Sequence, residues 1–105
     1  MSWQASEKTD EDLIAARDFI ASDNEGAARD FLDAAFETFE QLSKFPEMGP
    51  VADFKHRALK GMRFFVLPPP FNRWLVFCQP TDKGVDVRRV LYGNISWREE
   101  PKRFF

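Results

Sequence analysis

Five cationic side chains in the second half of the chain have the chemistry to bind a phosphate group or an acidic partner. They are Lys60, Arg63, Arg73, Arg88 and Arg89. Residues 1–54 hold 13 acidic and 4 basic side chains, a net charge of −9, whereas residues 55–105 hold 4 acidic and 11 basic ones, a net charge of +7. A basic half of this kind favours phosphate or an acidic protein surface. The alternative is that the two halves attract each other across the fold.

Cysteine, histidine and tyrosine, which carry much of the nucleophilic and acid–base chemistry of proteins, each occur once. The single Cys78 excludes an internal disulfide and a cysteine-cluster metal site, and one histidine, His56, cannot form a zinc site alone. We interpret Cys78 as a small residue of a buried strand and His56, between Lys55 and Arg57, as a solvated loop residue. Tyr92 is either a proton donor or a strand residue with its hydroxyl at the edge. The sequence predicts no metal and no cofactor.

The length of 105 residues predicts one domain, residues 1–105. Twelve Phe and three Trp indicate either a core of large aromatic side chains or an apolar surface that a partner covers. The longest apolar runs, Phe64–Phe71 and Trp74–Cys78, are far shorter than the roughly 20 residues of a membrane-spanning helix. The acidic residues 1–12 are not typical of a signal peptide. We therefore expect a cytoplasmic protein that does not bind membranes.

The first half of the chain predicts two antiparallel helices. Thr9 is the expected N-cap of a helix over about 10–22, and Asn24 that of a second over about 24–44. In the second helix the apolar positions recur at helical spacing: Ala28, Phe31, Leu32, Ala35, Phe39 and Leu42. The short link Asp23–Glu25 makes the pair antiparallel.

The second half predicts three strands. They are Met62–Leu67, Arg73–Gln79 and Val85–Tyr92, with a turn at Pro80–Gly84 between the last two. Trp3–Ser6 indicates at most one further short strand. Both helices then cover one face of a small antiparallel sheet, an α+β fold with the order β-α-α-β-β-β. The aromatic tail Trp97–Phe105 is either poorly ordered or docks on the sheet.

Several of these pieces, in this order, resemble the RelE/ParE superfamily of toxins from type II toxin–antitoxin systems, and the ParE branch most closely. They are Phe19-Ile20-Ala21, Phe45-Pro46-Glu47-Met48-Gly49, Leu59-Lys60-Gly61-Met62-Arg63, Trp74-Leu75-Val76-Phe77 and Val87-Arg88-Arg89-Val90-Leu91-Tyr92-Gly93. The resemblance covers roughly residues 9–96. It implies a cytosolic toxin that forms a hetero-oligomer with a cognate antitoxin, which wraps it with an extended, partly helical segment.

The resemblance implies two alternative activities. The ParE branch resembles a poison that binds DNA gyrase without agreed catalytic residues. The RelE branch is similar to a metal-free, ribosome-dependent messenger RNA endonuclease, which needs cations and proton donors at the reacting phosphate. If the chain is a ribonuclease, Arg63, Arg89 and Tyr92 are the candidate catalytic residues, and Lys60, Arg73 and Arg88 bind phosphate or the target. The alternative for Arg63 and Arg89 is that they pair with helix carboxylates or with the antitoxin.

Departures from the family pattern favour the binding poison. Cys78-Gln79 stands where the strand often ends in Tyr-Arg, and Asn94-Ile95-Ser96 lacks the arginine that usually follows Gly93. The isoelectric point near 5.4 is also low for a protein that must bind ribosomal phosphates. We therefore expect a ParE-like toxin directed at a protein target, with a ribonuclease as the alternative and a degenerate toxin that only binds antitoxin as a third.

Overall fold

The computed structural model describes residues 2–52, 54, 59–93, 97 and 101–105, without the side chains of residues 101 and 102. The elements are β1 (Ser2–Ala5), α1 (Glu7–Ala21), α2 (Glu25–Lys44), β2 (Arg63–Val66), β3 (Trp74–Thr81), β4 (Gly84–Tyr92) and α3 (Pro101–Phe104). This order confirms the predicted α+β fold and adds a short C-terminal helix.

The first helix begins earlier than the sequence predicts, because Ser6 and not Thr9 is its N-cap. The Ser6 hydroxyl accepts the Thr9 N–H at 3.1 Å. Thr9 is fully buried and donates its own hydroxyl to the Val87 carbonyl at 3.1 Å. For the second helix the prediction is confirmed, since the Asn24 side chain accepts the Ala27 N–H at 3.0 Å.

The four strands form one sheet in the order β1-β4-β3-β2. The three strands of the second half are antiparallel as predicted, whereas β1 pairs in parallel with β4, so the whole sheet is mixed. The turn between β3 and β4 is shorter than expected, because Pro80 and Thr81 belong to β3. Pro80 pairs with Val85 of β4 on one side, and on the other side β2 begins opposite Cys78 and has no residue opposite Pro80. The proline therefore lies where β3 has only one neighbouring strand, as is usual for proline in a sheet.

A β-bulge at Arg88 interrupts the alternation of side chains along β4. Cys78 pairs with Val87 and Phe77 pairs with Arg89, so Arg88 has no opposite residue. Regular alternation would place the Arg88 side chain on the same face as Val90, but the extra residue turns it to the other face. The Arg88 side chain donates to Gln79. Gln79 follows the buried Cys78 in β3 and therefore lies on the other face of the sheet from Cys78.

The sheet has an apolar core on each face. The first core joins both helices to one face, as predicted, and its largest fully buried members are Phe31, Phe39, Leu42, Leu67 and Val76. The second core covers the other face around Phe77, Met62, Leu91 and Trp97, and Phe104 and Phe105 pack against it. The described aromatic residues of the tail, Trp97, Phe104 and Phe105, are therefore docked on the sheet, which was one of the two predicted states of the tail.

Candidate functional site

An ion pair between α1 and β4 occupies the centre of the candidate site. Arg89 donates from Nε to Asp12 Oδ2 at 2.7 Å and from Nη2 to Asp12 Oδ1 at 2.8 Å. The two side chains are only 15% and 13% exposed. The hydrogen bond with Asp12 raises the pKa of the Arg89 guanidinium above its ordinary value, against the opposing effect of burial. Its third nitrogen, Nη1, donates to the Phe104 carbonyl. All three guanidinium nitrogens are therefore engaged within the chain.

A polar stripe at three-residue spacing brings α1 onto the edge of β4. Beyond Ala5, β1 no longer pairs with β4, and α1 takes its place. Ser6 donates its hydroxyl to the Arg88 carbonyl at 2.8 Å, Thr9 donates to Val87, and Asp12 Oδ2 accepts the Val90 N–H at 3.0 Å. The sequence reasoning missed Asp12 as the partner of Arg89. The spacing of Ser6, Thr9 and Asp12 was its only signal in the sequence.

Arg63, the second arginine of the predicted catalytic set, binds a loop and lies outside this cluster. Its Nη1 donates to the Gly49 carbonyl at 2.7 Å and to the Glu47 carbonyl at 3.2 Å. No carboxylate lies within ion-pair distance of Arg63 among the described residues. Gly49 packs so closely on β2 that an added Cβ would lie 2.1 Å from the Phe64 carbonyl oxygen. Arg63 thus holds the loop after α2 against the first residues of β2.

Tyr92 and Arg89 line one groove of about 360 Å³, which runs between α1, the end of β4 and the tail. Its other lining residues are Asp12, Ala15, Ala16, Phe19, Trp74, Val90, Leu91 and Phe104. The Tyr92 ring contacts the Trp74 ring at a centroid distance of 4.9 Å. Of the predicted catalytic residues, the structure therefore brings two together and leaves Arg63 elsewhere. The guanidinium in this groove is neutralised, so the groove is largely apolar rather than a cationic cradle for a phosphate.

The three residues predicted to bind phosphate or a target do not form one cluster. Arg88 Nη1 donates to Gln79 Oε1 at 2.9 Å, and Gln79 Nε2 lies 3.5 Å from the carbonyl oxygen of exposed Lys60. Arg73 is exposed at the end of β3 that faces Tyr92, where its carbonyl accepts the Gly93 N–H at 2.6 Å. Arg73 and Tyr92 line a second groove of about 410 Å³. Lys60 and Arg88 thus lie at one end of the sheet and Arg73 at the other.

Several large apolar side chains are exposed at the surface, and Phe19 and Phe45 are the most exposed of those in the described part of the chain. Phe19, on α1 beside the groove, is 72% exposed, and Phe45, in the loop after α2, is 64% exposed. Phe45 and Met48 line a depression of about 670 Å³ with Pro80 of β3. Exposed apolar patches of this kind are typical of protein interaction surfaces.

Several predicted residues lie outside the described part of the chain: Lys55, His56, Arg57, Asn94, Ile95 and Ser96. Within the described part, no three His, Cys, Asp or Glu side chains are grouped closely enough to hold a metal ion. Over the same residues, no helix has both the length and the apolar composition needed to cross a membrane. Cys78 is buried and unpaired, and burial raises the pKa of its thiol to about 11.

Comparison with known proteins gives one family and a consistent fold. The family model for the ParE toxin of type II toxin–antitoxin systems, parDE, matches residues 4–97. A solved chain of the "Chromosomal ParDE TA system from P. aeruginosa" has a similar fold, with a TM-score of 0.68 and 17% sequence identity over 88% of this chain and 95% of that one. No curated protein matches the sequence.

Proposed function

We infer the function of this chain from its family, because the family model spans residues 4–97 and the chain therefore belongs to the ParE toxins of type II toxin–antitoxin systems. Within this family role we propose a toxin that stops growth by binding a protein target, DNA gyrase, and not by cutting RNA. We further propose that it acts in the cytoplasm and is neutralised there by a cognate antitoxin.

The state of Arg89 is the observation that carries the preference for binding over catalysis. A metal-free ribonuclease needs free cationic groups beside the phosphate, where negative charge develops. Arg89 is instead engaged by Asp12 at 2.7 and 2.8 Å and by the Phe104 carbonyl. Freeing it would leave the Asp12 carboxylate, 13% exposed, without its counter-charge. Exposed Phe19 and Phe45 add apolar surface of the kind that marks protein-binding sites.

One observation favours the ribonuclease alternative: Arg89 and Tyr92 line the same groove. Tyr92→Phe separates the two functions, because it removes the hydroxyl and keeps the ring that packs on Trp74. We expect this variant to remain as toxic as the wild type when it is expressed alone. A ribonuclease that used Tyr92 as its proton donor would lose about 100-fold or more of its activity.

The direct test uses the purified toxin, gyrase, relaxed plasmid and ATP, followed by denaturation and protease treatment. We expect linear DNA from trapped gyrase–DNA complexes and no supercoiled product. In parallel, primer extension on messenger RNA from cells expressing the toxin should show no new ends. New ends at ribosome-bound codons with unaffected gyrase would refute the proposal in favour of the ribonuclease, and a non-toxic chain that still binds antitoxin would indicate a degenerate toxin.

A further inference from the structure

The outer edge of β4 is only partly covered. β1 pairs with β4 as far as Val87, and the Val90 N–H, which points outward, is bonded to Asp12. Because alternate residues of a strand direct their backbone groups to the same side, the Val90 carbonyl and both backbone groups of Tyr92 also point outward. No described residue hydrogen-bonds these three groups.

The cover ends because the polar stripe of α1 ends. Ser6, Thr9 and Asp12 each bond the edge of β4, and the next position at this spacing is Ala15, whose side chain has no donor or acceptor. Ala15 is exposed and lines the groove. Among the described residues, the result is a strand edge without backbone partners along an apolar groove, which is a template for another extended chain.

The groove has two walls, one from α1 and one from the tail, and we call the space between them the slot. Ala15 and Phe19 of α1 line it on one side, and Phe104, held by Arg89, lines it from the tail. Phe19 is 72% exposed, so its ring is available to a side chain entering the slot. Since Asp12 and Arg89 neutralise each other at the near end, the slot selects for apolar side chains and backbone hydrogen bonds, not for charge.

We propose that an extended segment of the antitoxin adds as a strand to β4 at Val90–Tyr92, in the slot between α1 and Phe104. This inference rests on the proposed function and assigns the place where the partner's extended segment lies. A helix would have to meet these groups with polar side chains placed one by one, as Thr9 and Asp12 of α1 do at Val87 and Val90, whereas an extended segment meets them with its own backbone N–H and C=O groups. An extended segment accepts the Tyr92 N–H in either direction, while Val90 keeps its bond to Asp12.

Hydrogen exchange measured by NMR tests the inference at single amides. The samples are the toxin alone and the toxin purified with the co-expressed product of the adjoining reading frame. We expect the Tyr92 amide to exchange at least about 100-fold more slowly in the complex, because the equilibrium constant for opening its hydrogen bond falls by the same factor. The Val90 amide, held by Asp12 in both samples, is the internal control and should be protected in both.

The outcomes distinguish the inference from the function on which it rests. A complex in which Tyr92 exchanges at the free rate overturns the inference and leaves the proposed function intact. If the two proteins form no complex, the proposed neutralisation fails and the inference fails with it. A third outcome is that Tyr92 is protected in the toxin alone, that this protection rises with toxin concentration, and that sedimentation shows a dimer. This result would assign the edge to a second copy of the chain and would also overturn the inference.

A matched pair of variants gives an independent readout. Ala15→Glu places a charged side chain in the slot from an exposed position, so we expect an intact fold and at least about tenfold weaker binding of the antitoxin. Ile14→Glu, at the adjacent and half-exposed position outside the groove, should leave the affinity unchanged. Equal affinities of the two variants, measured by calorimetry with unfolding midpoints as the control for folding, would overturn the inference.

Discussion

Replacing Asp12 by alanine should destabilise the fold more than any other single change of a charged residue on α1. Asp12 accepts two hydrogen bonds from Arg89 and one from the Val90 N–H. Its loss leaves the Arg89 guanidinium, 15% exposed, without its counter-charge and the amide of a 3% exposed Val90 without its acceptor. Removing one partner of a buried pair costs about 3–5 kcal/mol. Because both side chains keep some solvent contact, we expect the lower end, about 3 kcal/mol.

The assay is urea unfolding followed by circular dichroism, on toxin freed from its antitoxin. The Arg17–Asp18 pair on the same helix provides the matched control, since its side chains are 45% and 64% exposed. Asp18→Ala should cost no more than about 0.5 kcal/mol. A double variant, Asp12→Ala with Arg89→Met, should recover part of the loss because it removes the uncompensated charge. Equal costs for Asp12→Ala and Asp18→Ala would refute the account of the site given above.

Three further predictions follow from individual contacts. Burial raises the pKa of the Cys78 thiol from 9.0 to about 11. The free energy of unfolding that depends on this thiol is therefore complete below pH 9 and is lost between pH 9 and 11. The free energy of unfolding of Cys78→Ala, measured in urea across this range, should lack this decline. Gly49→Ala should cost about 3 kcal/mol in urea unfolding, because its Cβ would lie 2.1 Å from the Phe64 carbonyl oxygen. Ser6→Ala should cost about 2 kcal/mol and Asn24→Ala about 1 kcal/mol, because both cap helices but only Ser6 also bonds β4; similar thermal midpoints for the two variants would contradict this.

The helical pair and the three antiparallel strands could be predicted because their signals are local. The apolar spacing of α2 and the capping chemistry of Asn24 lie within one stretch of chain. The turn residues between β3 and β4 likewise bring neighbouring segments together without information from elsewhere. Local patterns of this kind establish which elements form and, where links are short, which of them are adjacent.

The parallel pairing of β1 could not be predicted because its partner strand lies far away in the chain, and the bulge at Arg88 could not be predicted because no residue type in β4 marks the extra position. Ser2–Ala5 finds its partner more than 80 residues away, and no local pattern in so short a strand indicates that partner. The bulge reverses the expected face of Arg88. The same limit applies to the candidate site. The sequence identifies Arg89 and Tyr92 as site residues, but it does not show that Asp12, on a distant helix, pairs with Arg89.

The path of the chain after β1 accounts for both the protected and the open part of the sheet edge. Because β1 runs parallel to β4 and α1 follows it immediately, the helix must start beside Val87 and continue along the same edge. Its polar stripe satisfies the edge for as long as the helix stays in contact, which ends with Asp12 at Val90. The Tyr92 N–H lies beyond that point. The same connection that secures Arg89 within the fold therefore leaves Tyr92 as the place where the toxin is still able to accept a strand from a partner.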